Sequence, residues 1–268
     1  MKFFNIRVFN KKKIGIFLIF LILINFVSFT SNPIADNFDK RLLQSPWTEN
    51  FILNMETASF LNAVYVFVFS GFVYADAFVI DKATGLTNII ASKVDYKKYI
   101  RKTLVYNFII AGILAMLPAL VNLFLWFTVR ANVPLVYFNT MNIFPDSLFA
   151  YVFLKSKLVF YILHFIKIFL CGGLIATFAI FINTKFNNRF LGSMIPYILD
   201  LIIYICGGFL SSKAQLGIFQ ILYSIVKPDY LTLFVSVLFL VPSIIYFIKY
   251  IRRGDLLWEN SWQEILNI

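Results

Sequence analysis

The chain has 268 residues, 60% of them hydrophobic and 14% charged, with a formal charge of +11. No soluble core of this size takes up so much apolar side chain, so most of the chain is solvated by a bilayer. The positive charge lies between apolar runs and follows membrane topology; no nucleic-acid motif accompanies it, and no nucleic-acid partner is expected.

The predicted fold is an all-α polytopic membrane protein, a single transmembrane domain over residues 1–268. Six stretches approach the roughly 20 apolar residues that a membrane helix needs. They fall at about 14–30, 58–79, 103–128, 158–183, 190–210 and 231–251. The first follows MKFFNIRVFNKKK, where Phe3, Phe4, Ile6, Val8 and Phe9 stand between the charges. That pattern suits an interfacial helix over residues 2–13. The leader also resembles a signal peptide, but SNPIADNF after it offers no small-x-small cleavage site, so an uncleaved anchor is expected. With the N-terminus inside, 16 of the 24 Lys/Arg fall on the inner side, seven on the outer side, and Lys167 within a span. Both termini are therefore expected in the cytoplasm.

Residues 31–57 read as an outer polar connection holding Trp47, and 129–157 as another, with Pro134 and Pro145. After the fifth span, Ile218, Ile221, Leu222 and Ile225 share one face of a short amphipathic helix within 211–228, expected at the outer interface. The tail, 254–268, places Trp258 and Trp262 four residues apart and is expected on the inner surface. The 33 Phe are weak support for a ligand cage, because Phe, Ile, Asn, Lys and Tyr all have A/T-rich codons.

Catalytic motifs are missing. There is no GxxxxGK[ST] phosphate loop, no HExxH and no GxSxG, and a single histidine leaves His-based triads and metal clusters without parts. No catalytic residue, metal or cofactor is assigned to the chain. Cys171 and Cys206 are too few for a disulfide framework, fit no zinc spacing, and read as small buried hydrophobes. Each precedes two glycines, Gly172-Gly173 and Gly207-Gly208, which read as helix-packing sites. His164, Lys167 and Asp200 lie inside predicted spans, where ionisable side chains are costly and point to function. By helix rise, Lys167 and Asp200 lie about 13 and about 15 Å below the outer ends of their spans. Those depths suit an ion pair facing the interior. The alternative is that Lys167 snorkels outward while Asp200 hydrogen-bonds a Tyr or a backbone group. His164 reads as a packed polar residue.

The stretch DKATGLTNIIASKVDYKKYIRK, 81–102, carries six Lys/Arg, yet also an apolar stripe of Leu86, Ile89 and Ile90. Asp81 or Thr84 is expected to start a short helix, Ser92–Val94 to turn, and Asp95 to cap a helix running straight into the third span. An apolar stripe on a membrane-proximal helix points to a partner. Here the chain resembles the membrane subunit of a type-2 ABC transporter, the ABC-2 permease family. The resemblance rests on an acidic residue after the second span (Asp81, where the family more often has Glu), Gly85, the apolar helix from Leu86 to Ala91, the turn to Asp95, and Lys102 at the base of the third span.

That resemblance implies a coupling helix docking on a separate nucleotide-binding ATPase, with ATP and Mg bound by that partner. It also implies a second permease, identical or related, and a place in the bacterial cell membrane. The expected role is export of a hydrophobic or amphipathic substrate, such as a bacteriocin-like peptide, a lipid-linked molecule or a drug. Two other readings stay open. One is an ion-coupled carrier or channel built on Lys167, His164 and Asp200; the other is a scaffold or bacteriocin-immunity membrane protein without transport.

Overall fold

The structure is a computed structural model that describes residues 10–31, 45–53, 57–73, 75–86, 89, 96–130, 150–186, 188, 190–210, 217–218, 222, 241–242, 244–245 and 248. Described residues with regular secondary structure are helical. The helices are α1 (Lys11–Ser31), α2 (Pro46–Glu49), α3 (Thr57–Val73), α4 (Ala75–Ala83), α5 (Tyr96–Val129), α6 (Ala150–Lys155), α7 (Lys157–Phe186) and α8 (Leu191–Leu210).

Three stretches, Lys11–Ser31, Lys98–Val129 and Lys157–Asn183, are long and apolar enough to cross a membrane, and Thr57–Val73 and Leu191–Cys206 are shorter apolar helices. The protein is therefore an all-helical membrane protein among its described residues. The predicted span 58–79 falls on α3 and α4. The predicted span 231–251 is described only at Val241, Pro242, Ile244, Ile245 and Ile248, all helical. The interfacial leader at 2–9 and the tail at 254–268 lie outside the described residues.

α7 is the hub. It packs most extensively on α5 and also against α3, α4, α6 and α8, while α1 lies against α3 and α5. α1 touches the bundle through Ile24, Asn25 and Ser28, and shows Ile19, Ile22 and Phe26 to the outside. Such a helix, apolar on nearly all sides, is stable only in lipid. Without a hydrophobic force between helices in lipid, close packing needs small residues. At Gly172 an added Cβ would lie 2.5 Å from the Ala115 Cβ, and at Gly112 one would lie 2.6 Å from the Phe169 ring, so α5 and α7 touch nearly backbone to backbone. A Cβ at Gly173 would likewise strike the Phe108 ring at 2.7 Å. Gly207 and Gly208 are helical; their surroundings fall outside the description. Cys171 is buried, but Cys206, expected to be buried, is exposed on α8.

Contacts between helix ends fix two poles. The start of α1 meets the end of α3, and the foot of α5 meets α4. At the other pole, the end of α5 and the start of α7 meet α2. These are called the Lys13 pole and the Trp47 pole.

Candidate functional site

At the Lys13 pole, the Nζ of Lys13 donates to the Val73 carbonyl and to Asp76 Oδ1, both at 2.8 Å, and lies 5.4 Å from the centre of the Phe72 ring. A cation at the last carbonyls of α3 also complements the helix dipole. Asp76 is a fourth ionisable residue inside a predicted span, 58–79, and sequence reading passed over it. Its signal was available: an acid in an apolar run demands a cation, and Lys13 is the last basic residue before the first span.

Asp81 corrects an expectation. It does not start a helix; Leu86 and Ile89 after Thr84 are helical. Asp81 stands in the last turn of α4, and the Thr84 amide donates to the Ile80 carbonyl at 2.9 Å, so the helix continues past Asp81 before it ends. The apolar face holds that continuation in place, since Ala75 and Val79 are buried and α4 packs on α7. An acid at a helix C-terminus opposes the dipole. Here it is 1% exposed and accepts the Tyr99 hydroxyl at 2.6 Å, which ties α4 to the foot of α5. Gly85, at φ +69°, then closes the helix in the left-handed conformation that favours glycine. A Cβ there would meet nothing within 4 Å.

Beyond it, Leu86 is helical and half-buried, and Ile89 is helical and 52% exposed. Ile90 and Asp95 lie outside the described residues. α5 runs unbroken from Tyr96 through the predicted span 103–128, with Lys98, Arg101 and Lys102 exposed on its foot.

The Trp47 pole is not the plain polar connection that the sequence suggests. Ser45 caps α2 with a capping box, Pro46 stands at its start, and Trp47 is buried. The Trp47 ring meets Phe127 edge-on at 4.8 Å and Tyr161 at 5.3 Å, and the Tyr161 hydroxyl donates to the Trp47 carbonyl at 2.5 Å. Phe51, Ile52 and Leu53 follow it into the core, and the Ser59 hydroxyl donates to the Phe51 carbonyl. Asn122 joins three elements: its Nδ2 donates to Asn25 Oδ1 at 3.1 Å, and its Oδ1 accepts from the Phe51 amide at 3.3 Å.

Between the poles, His164 is buried and stacked on Phe160. Lys167 stands one turn before the buried Cys171 on α7. Asp200 is fully buried, and its Oδ1 accepts from the Ile218 amide at 2.7 Å. The expected interfacial helix is described only at Gly217, Ile218 and Leu222. Ile218 and Leu222 are helical and buried in the common core. A backbone partner is one of the alternatives that the sequence leaves open for Asp200; which amide supplies it is not legible there. Among the described residues, no three His, Cys, Asp or Glu side chains are grouped to hold a metal ion.

No family model, curated protein or solved structure matches the chain. The class that the fold defines is an all-helical membrane protein.

Proposed function

We propose that the chain is the permease subunit of an ATP-driven transporter of the ABC-2 type, in a bacterial cell membrane with both termini in the cytoplasm. It takes its energy from a separate nucleotide-binding ATPase docked on residues 81–95, and works with a second permease. The observation that carries this reading is the join at Asp81. A buried carboxylate bonds the end of α4 to Tyr99 at the foot of a 34-residue helix, just before the left-handed Gly85 and the exposed Ile89. A push on the segment after Gly85 passes through Asp81 and Tyr99 into α5 as a rigid-body movement. The exposed Lys98, Arg101 and Lys102 beside it suit an acidic rim on the partner. The exposed apolar surfaces of α1 and α8 suit a hydrophobic or amphipathic cargo, moved outward.

Affinity purification in mild detergent tests the reading, with a nucleotide-binding subunit expected to co-purify. At Gly85 an added Cβ meets nothing within 4 Å, but the left-handed backbone strains any such side chain, so Gly85→Ala, with the same strain and no ring, is the control for Gly85→Trp. Gly85→Trp and Leu86→Asp are each expected to lose the ATPase subunit and transport while membrane insertion persists. Gly85→Asn, which tolerates the left-handed conformation, is expected to keep both. Transport that survives Gly85→Trp and Leu86→Asp removes the docking role. Purification of the chain without any nucleotide-binding protein in several detergents removes the reading itself.

A further inference from the structure

We infer that Asp200 is a positioning residue: its carboxylate holds the backbone at Gly217–Ile218 beside the middle of α8, so that Ile218 and Leu222 form a re-entrant stopper in the core of the bundle. The inference is independent of the ATPase and of the direction of transport.

Three observations converge. The first is depth. Asp200 is ten residues before the end of α8 at Leu210, about 15 Å along the helix axis. Ile218 comes eight residues after that end, yet its amide is 2.7 Å from Asp200 Oδ1. The chain has therefore come back beside the midpoint of the helix it just left. The second is the fit at Gly217. Its φ is +123°, and a Cβ there would lie 3.1 and 3.2 Å from the two carboxylate oxygens of Asp200. The backbone angle favours glycine, and an added Cβ would crowd the carboxylate. The third is the destination. Ile218 is 1% exposed, and with Leu222 it belongs to the same buried cluster as Trp47, Phe51, Ile52, Leu53 and Tyr161.

The chemistry explains why an acid stands there. Backbone outside a regular helix survives at membrane depth only inside protein, with its polar groups satisfied. A carboxylate is a strong acceptor for an amide that has lost its water, and such charge-assisted bonds are roughly twice as strong as neutral ones. Asp200 thus lets the chain enter the bundle without leaving the Ile218 amide bare. The polar side chain in the middle of α8 is explained by a partner in the backbone, whatever else surrounds it.

The test uses the full chain with Cys171→Ala and Cys206→Ser, and a reporter thiol at Ile218→Cys or, separately, Leu222→Cys. Both are labelled with a charged maleimide in opened membrane fragments, so that the side of the membrane does not matter. With Asp200 intact, each reporter is expected to react at least a hundredfold more slowly than in SDS. Asp200→Leu, nearly equal in volume and more apolar, is expected to raise the rate at least tenfold. Asp200→Asn, which keeps an acceptor oxygen, is expected to stay within threefold of the parent.

Gly217→Ala, with Asp200 untouched, is expected to match Asp200→Leu and serves where the Leu variant fails to fold. Fast labelling with Asp200 intact overturns the inference. So does protection that survives both Asp200→Leu and Gly217→Ala, which would mean that packing alone holds the segment. Equal rates in Asp200→Asn and Asp200→Leu would also overturn it, since the acceptor would then not be what holds Ile218.

Discussion

The two poles of the bundle are held by different physics. At the Lys13 pole a few directional bonds between side chains lace helix ends together: Lys13 to Asp76 and to the Val73 carbonyl, and Tyr99 to Asp81. At the Trp47 pole, apolar bulk is pushed into the bundle, and polar groups serve mainly to satisfy the backbone carried in with it. Trp47 and Phe51 fill the space, while Tyr161 takes up the Trp47 carbonyl as a donor and Asn122 the Phe51 amide as an acceptor. A pole held by contact area concentrates stability in its large buried side chains. A pole held by a few bonds between helix ends carries less of the stability and can move as a unit.

That contrast can be broken by ranking variants by thermal unfolding in detergent. Trp47→Ala is expected to cost the most, about 3–5 kcal/mol, because it empties a ring-lined site in the core. Lys13→Met comes next, at about 2–3 kcal/mol. It leaves Asp76 without its cation, and both side chains of the pair are only 14% exposed. A double-mutant cycle with Asp76→Asn is expected to return a coupling of about 1–2 kcal/mol, since the remaining exposure weakens the pair.

Tyr99→Phe is expected to cost about 1–2 kcal/mol by taking the hydroxyl from a buried carboxylate. It should also lower transport more than its stability loss explains, read as the ratio of transport to folded protein. Gly85→Ala should cost about 1 kcal/mol, the strain of a left-handed residue with open space around it, and Gly85→Asn less. If Lys13→Met exceeds Trp47→Ala, the two poles do not differ as described.

The apolar helices were legible because a run of about 20 apolar residues has few other stable forms. The connections were not. Trp47 sits in a stretch that averages as polar, and only the local pattern of Ser45, Pro46 and Thr48 marks a capped turn there. Asp76 was hidden by counting: the positive-inside rule sums Lys and Arg by side and does not ask which one stands opposite an acid 63 residues away. Asp81 misled for a local reason. Asp is a good residue to open a helix, but the helix carrying the second predicted span had not yet ended, and Tyr99 neutralises the misfit.

The unbroken helix α5 has a mechanical consequence. Its 34 residues, with Pro118 among them, rise about 51 Å along the helix axis, while the hydrocarbon of a bilayer is about 30 Å thick. Roughly 20 Å of it must therefore tilt or project beyond the apolar layer, and the exposed Lys98, Arg101 and Lys102 lie on its foot. Held at the far end by Trp126, Asn122 and the Trp47 plug, such a rod is a lever with its fulcrum far from its handle. Swinging it by about 5° moves the foot by roughly 4 Å, about three quarters of a helical turn. A movement of a few ångströms at the segment after Gly85 and smaller shifts of side chains along α7 would then be the two ends of one stroke.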